Sequence, residues 1–234
     1  MTTRRGGFSS APFDSMSLRD GLGDDPAAVH SNQRLLAEMI GAVPVYLNQI
    51  HGNRVVRLTA ADAATGAAVH EADASVTCEQ GIACAVQVAD CLPLLFAAPG
   101  GVGAAHAGWR GLAGGVIEAT VSALCETAGC DPAEIEVWLG ACIGPRRFEV
   151  GVDVLKAFGA SSSSQDQDAA RFAACAPGKW LANLPRLARD RLERCGLRRV
   201  SGGHWCTVDD ASRFFSFRRD GLTGRMAALV WRVA

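Results

Sequence analysis

Apolar positions in the first half of the chain concentrate in short runs at residues 74–78, 82–89 and 92–98, each closed by glycine, charged or polar residues. Runs of that length, bounded by turn residues, predict strands of a largely buried sheet rather than helices. A fourth run starts at Val102 and ends on His106, and residues 44–50, 55–58 and 135–143 predict further strands. Helical spacing governs other stretches. Val29, Leu36, Met39 and Ile40 share one stripe of a helix that Asp25 caps, Pro26 begins and Gly41 stops. Residues 112–128 carry apolar side chains around much of a helical circumference, and Gly129 ends them. Leu184, Ala188, Leu192 and Cys195 predict a surface helix across 177–196. Residues 213–217 and 225–231 predict two strands joined by a hairpin turn rich in Asp and Gly. The remaining stretches are irregular: 6–23 is a polar segment that either frays or folds over a site, 60–71 is a loop or short helix, and 161–168 is a low-complexity surface loop. Together these elements predict one domain built on a largely buried sheet with helices packed against it.

Three chemically capable residues stand where the strand pattern breaks. His51 occupies a corner between two predicted strands, Cys91 follows Asp90 between two apolar runs, and His106 ends a strand just before Gly108 and Gly111. Those glycines permit either positive φ or close backbone approach. Pro93 donates nothing to a ladder, so it argues against a regular central strand through this point and leaves the Cys91 thiol accessible. Each histidine alone reads equally as a core residue with one satisfied nitrogen. Taken together, two imidazoles and a thiolate form a zinc set with a fourth position open for water or substrate. A metal that lowers the pKa of water from 15.7 to about 7 contributes about 12 kcal/mol toward hydroxide. One general base supplies only about 3–5 kcal/mol.

Composition narrows the partners. With 23 basic and 24 acidic residues, the chain offers no global charge for nucleic acid or an anionic membrane surface. No apolar run is long enough for a membrane helix, and the first ten residues lack a signal-peptide core, which predicts a cytoplasmic protein. Nine cysteines without a C-x-x-C pair predict reduced, mostly buried thiols. Only Lys156 and Lys179 are lysines, so nearly all positive charge is arginine, whose planar fork suits phosphate or carboxylate. A glycine-rich turn at Gly140, Gly144 and Pro145 precedes Arg146 and Arg147, which either cradle an anion or are solvated.

The motifs resemble those of the YfiH-type proteins, variously called laccase-domain proteins, polyphenol oxidases and peptidoglycan editing factors. Residues 48–52 (Asn-Gln-Ile-His-Gly), 89–93 (Ala-Asp-Cys-Leu-Pro), 106–111 (His-Ala-Gly-Trp-Arg-Gly) and the closing block with Cys206, Thr207, 215–220 and 223–225 occur in the family's order, and the leading 6–9 segment also fits. The resemblance implies an α+β fold over residues 1–234 with a mixed β-sheet core flanked by helices, and a metal site at His51, Cys91 and His106, where the donor types suit Zn²⁺, with Cu²⁺ as an in vitro alternative. It also implies phosphorolysis of adenosine, inosine and methylthioadenosine, with adenosine deamination as a companion activity. Catalytic work would then fall to Cys91, His106 and Arg110, and substrate contact to Gln49, Arg218 and Arg219, with a purine nucleoside and phosphate as partners. The chain departs from the family at Gly140-Ala141 and at Arg147-Phe148, which bears on substrate fit. Other classes stay open: a copper-dependent phenol oxidase, although five histidines are few for a multicopper centre; a cysteine hydrolase acting on peptidoglycan precursors through Cys91; and a non-enzymatic binding protein.

Overall fold

A computed structural model describes residues 1–160 and 169–233, so the low-complexity stretch 161–168 lies outside the described residues. The chain runs α1 (Pro26–Ile40), β1 (Val43–Val45), β2 (Val55–Arg57), β3 (Ala74–Thr77), β4 (Ile82–Val88), β5 (Leu92–Ala98), β6 (Gly101–Ala107), α2 (Trp109–Ala113) and α3 (Val116–Ala128). It continues through β7 (Glu136–Leu139), β8 (Glu149–Val150), α4 (Val152–Ala157), β9 (Phe172–Ala176), β10 (Lys179–Ala182), α5 (Leu184–Arg194), β11 (Arg199–Gly202), α6 (Phe217–Asp220) and β12 (Met226–Trp231). The class is α+β as predicted. Its strands, however, divide among a six-stranded mixed sheet in the order β11-β7-β5-β6-β3-β2 and two three-stranded sheets, β1-β4-β12 and β8-β10-β9. No helix among the described residues is long and apolar enough to cross a membrane.

The apolar runs follow from burial on both strand faces. In β4, Ile82, Cys84 and Val86 face the large sheet with Val102 and Ala104 of β6, while Ala83 and Ala85 face α1 with Leu36. On the far side of β6, Ala105 and Ala107 join Ile117, Val121 and Leu124 of α3 and Leu187 and Leu192 of α5. Alternating side chains therefore serve two different apolar layers, and neither face keeps a polar stripe.

Helix α1 has the predicted caps: the Asp25 carboxylate accepts from Ala27 N–H, and Gly41 adopts a left-handed conformation at φ 63°. Its buried stripe is Val29, Asn32 and Leu36, whereas Met39 is exposed. Asn32 ties down the irregular leading segment. Its side-chain amide donates to Ser9 Oγ (3.0 Å), Ser15 O (3.1 Å) and Ser17 O (2.8 Å), and its oxygen accepts from Phe8 N–H (2.8 Å). The segment folds over the protein as a strap. Asn32→Ala should lose about 2–4 kcal/mol of stability, measured by denaturant unfolding, with faster proteolysis inside residues 7–17.

Several boundaries differ from the sequence reading. The predicted helix over 112–128 is two helices, because Gly115 takes φ 91° and breaks the ladder between α2 and α3. Pro93 lies inside β5 after all, opposite His106. The β7 partner begins only at Leu94, and the Pro93 carbonyl still accepts from Gly140 N–H at 2.9 Å. Residues 44–50 form a strand only as far as Val45, and 135–143 only over Glu136–Leu139. The stretch 177–196 opens with β10, and its helix begins at Leu184, capped by Asn183. No hairpin joins 213–217 to 225–231: β12 pairs with β4, and Phe217 begins the short helix α6.

Candidate metal centre and its cavity

Strand register gathers the site at one end of three neighbouring strands. Ala74 at the start of β3 pairs with Ala105 near the end of β6, and Leu92 at the start of β5 pairs with Ala107. Cys91, Asp73 and His106 therefore converge at the same sheet end. His51 arrives from the irregular connection between β1 and β2. The ligand atoms of His51, Cys91 and His106 all lie within 4.8 Å of one another, the one such His/Cys/Asp/Glu cluster found among the described residues. Cys91 Sγ is 3.8 Å from His51 Nε2, and the two imidazoles meet edge to face at 4.8 Å between centroids.

The fully buried Asp73, not singled out in the sequence, organises this trio. One carboxylate oxygen accepts from His106 Nδ1 at 2.8 Å and from His51 N–H at 2.9 Å; the other accepts from Gly52 N–H at 2.7 Å and Ile50 N–H at 3.2 Å. A carboxylate only accepts, so His106 carries a proton on Nδ1 and turns Nε2 away from Asp73. Burial alone would raise the Asp73 carboxyl, but the His106 hydrogen bond and the Gly52 and His51 amides hold it below the usual range. The sequence signal is a single acid set flush against the apolar run of β3.

Charge in the metal-free chain is shared between Cys91 and His106. Burial pushes the Cys91 thiol up, yet the His106 charge and hydrogen bonds from both imidazoles outweigh it and lower its pKa to about 6. Burial lowers His106, but the Cys91 charge and Asp73 hydrogen bond raise it to about 9. Buried Cys84 and Cys142 show the opposite behaviour: desolvation raises both, Cys84 to about 12. All nine cysteines are free thiols.

Backbone strain concentrates here. Among the described residues, His51 (φ 64°) and Asp90 (φ 101°) are the non-glycine positions with positive φ. Asp90 is held by Thr207 Oγ1 at 2.5 Å and Arg218 N–H at 2.7 Å on its carboxylate, and by Ile143 N–H at 2.8 Å on its carbonyl. Conformations of this kind cost about 1–3 kcal/mol each and persist where the surroundings enforce them. Gly108 has ordinary φ (−65°), so its need for glycine is steric. A Cβ there would sit 2.8 Å from His51 Cδ2 and 3.0 Å from Cys91 Sγ. Gly108→Ala should therefore displace two ligands and weaken metal binding by about 1–3 kcal/mol, read by metal titration.

The trio opens into a cavity of about 420 Å³, and Gln49, Arg110 and Arg218 are among its lining. Arg110 is exposed and stacks on Trp109 at 4.4 Å. Arg218 lies over Phe148 at 5.4 Å and donates to Glu149 O at 3.2 Å and Arg147 O at 3.5 Å. Gln49 lines the cavity with its amide committed, donating to Gln87 O and accepting from Gln87 N–H. Arg219 is not brought to the lining: it pairs with Asp220 and donates to the carbonyls of Thr207, Val208 and Phe214. Arg147 pairs with Asp209 at 2.5 Å, and Arg146 lines a separate cavity. Sequence reasoning also left Arg19, Leu22 and Arg225 unassigned, although all three line the main cavity. The strap carrying Arg19 and Leu22 was the stretch expected either to fray or to cover a site.

An α+β scaffold with a His–Cys–His donor set at the end of its central strands, open to an arginine-rimmed cavity, defines a protein with a metal-capable small-molecule site. The chain belongs to the family described as multi-copper polyphenol oxidoreductase laccase, whose model matches residues 1–233. Relatives carry the YfiH name, which bears out the resemblance drawn from the motifs. The chain is 47% identical over 233 residues to Purine nucleoside phosphorylase PA4543 of Pseudomonas aeruginosa, covering 99% of this chain and 91% of that protein. It is 43% identical over 236 residues to Purine nucleoside phosphorylase YfiH of Escherichia coli, covering 99% and 92%. Among solved structures, Neisseria meningitidis protein NMB0706 superposes with a TM-score of 0.90 at 44% identity, covering 100% of this chain and 93% of that one. YlmD from Geobacillus stearothermophilus gives 0.91 at 33% identity, covering 100% and 90%.

Proposed function

We propose that this chain is a zinc-dependent purine nucleoside phosphorylase working at His51, Cys91 and His106. The observation that carries this reading is the convergence of the three ligand atoms within 4.8 Å at the wall of an arginine-rimmed cavity. The naming of the relatives as purine nucleoside phosphorylases supports the reaction class. The donor set fits zinc: two imidazoles and a thiol of lowered pKa, with Asp73 fixing one ring as outer carboxylates do in zinc sites. A bound zinc would supply Lewis acidity to a substrate oxygen.

The chain's own residues supply the rest. The cavity, at about 420 Å³, is of a size that small-molecule sites use. Phe148, Leu184 and Phe217 form apolar wall against which a purine ring can lie. Arginine forks bind phosphate and stabilise charge developing as the base departs. An oxygen of inorganic phosphate forms the bond to C1′ of the ribose as the bond from C1′ to N9 breaks, and the purine leaves with the bonding pair and takes up a proton. The products are ribose 1-phosphate and free base. Leu22 on the strap and Leu184 on α5 would accommodate a 5′-methylthio group, extending the substrates from adenosine and inosine to methylthioadenosine. Adenosine deamination, in which water adds at C6 and ammonia leaves, is a second activity open to the same donor set.

Zinc-loaded protein incubated with inosine should release hypoxanthine only when phosphate is present, and adenosine should yield inosine. Hypoxanthine release that ignores phosphate, or untouched nucleosides, would overturn the assignment.

A further inference from the structure

Arg19 and Arg225 stand out because neither is explained by the metal trio. Leu18 N–H donates to Arg225 O at 3.1 Å, which fastens the strap beside the residue preceding β12; Arg19 and Arg225 line the same cavity, and the charge of Arg19 acts on Arg225. Both are half-buried in the cavity lining. Arg225 commits one guanidinium nitrogen to Thr223 O (2.9 Å) and Gly224 O (3.1 Å) and lies over the Phe217 ring at 5.8 Å. Its other guanidinium nitrogens have no hydrogen-bond partner among the described residues. Arg19 makes no hydrogen bond or ion pair among the described residues.

The nearby acids do not neutralise this pair. Asp73 attracts Arg19 from a distance, yet its oxygens are taken by His106 and three backbone amides. Asp90 attracts Arg225, as does Cys91, but its carboxylate serves Thr207 and the Arg218 backbone. Burial, and then the charge of Arg19, push the Arg225 guanidinium down from its ordinary value. Two partly desolvated cations in one cavity repel each other, and a shared anion reverses the sign of that interaction.

We infer that Arg19 and Arg225 form the oxyanion subsite of the cavity and receive inorganic phosphate between them. The other cavity arginines are less suited: Arg110 and Arg218 are both exposed, with their guanidinium groups over Trp109 and Phe148. The identification of the anion as co-substrate phosphate rests on the phosphorolysis reading; the existence of the subsite does not. Because Arg19 belongs to the strap, phosphate binding also pins the strap to the cavity, contributing to closure over the nucleoside.

The test is calorimetric titration of inorganic phosphate into zinc-loaded wild-type protein, into Arg19→Gln and Arg225→Gln, and into Arg34→Gln, which changes an exposed arginine of α1 outside the cavity, with inosine turnover measured in parallel. Each of the first two substitutions should weaken phosphate binding about 10- to 100-fold, the share of a charge-assisted hydrogen bond, while Arg34→Gln changes it less than about threefold. In turnover the loss should fall on the KM for phosphate, with the KM for inosine and bound zinc unchanged. If a glutamine variant fails to fold, Arg19→Lys and Arg225→Lys, which keep the charge and lose the fork, should show the same loss to a smaller degree. Wild-type phosphate affinity in both arginine variants, or a wild-type protein that binds no phosphate, would overturn the subsite. Phosphate binding lost in these variants, in a protein that leaves inosine intact, would keep the subsite and remove the phosphorolysis reading. Phosphate-dependent turnover with unaltered binding in the variants would do the reverse.

Discussion

Cys91→Ala should yield a folded protein that no longer retains zinc and whose phosphate-dependent release of hypoxanthine falls by more than about 100-fold, beyond the 10- to 100-fold typical of outer-shell changes. The residue sits at the junction leading into β5 and is only partly buried, so removing its sulfur takes little from the core. Metal-free stability should stay within about 1 kcal/mol of wild type. What disappears is the extra stability that wild type gains from a ligand binding the folded state alone. Zinc content by elemental analysis and melting temperature with and without zinc read both effects. Cys91→Ala protein that kept one zinc and full turnover would remove Cys91 from the site.

Asp73→Asn should have the second-largest effect, on stability as well as on metal binding. The site around Asp73 presents four donors: three backbone N–H groups and His106 Nδ1. An amide replaces one acceptor oxygen with an NH₂ group, which sets donor against donor inside a fully buried position. Stranded donors cost about 1–3 kcal/mol each, so denaturant unfolding should show a loss of about 3 kcal/mol or more. Without the carboxylate, the His106 ring is free to change tautomer and orientation, and zinc affinity should fall about 10- to 100-fold. Equal affinity in Asp73→Asn would show that the ring is positioned by packing alone.

Much of this centre was legible because its ligands interrupt apolar runs. Cys91 and His106 break β5 and β6 at ends that register later brings together, and a polar residue in such a place needs a reason. Asp73 escaped notice although it stands beside β3 in the same way, because a lone acid before a strand resembles an ordinary turn residue. The placement of Arg19 and Arg225 in one cavity was invisible, since it depends on a hydrogen bond between segments some two hundred residues apart in sequence.

The errors in secondary structure also have physical causes. Phe214 and Phe215 gave 213–217 a strand-like apolar content, but they are buried as anchors of an irregular segment whose Arg213 carbonyl bonds to Arg4 of the strap. The helical spacing from Leu184 does not reach back through β10, and Asn183 followed by Leu184 and Pro185 is a legible helix start. Pro93 reads as a breaker because a proline donates nothing to a ladder, which matters only where a neighbouring strand needs that donor. At its position the β7 neighbour has not yet begun.

The central claim is that one His–Cys–His centre supports transfer of the ribosyl group to phosphate. Its most direct test is phosphorus NMR of zinc-loaded protein mixed with inosine and inorganic phosphate. A sugar 1-phosphate resonance should grow as inorganic phosphate declines, disappear from protein treated with a chelator, and return when zinc is restored. Hypoxanthine appearing with the inorganic phosphate signal undiminished, or an unchanged spectrum from fully metal-loaded protein, would contradict the claim.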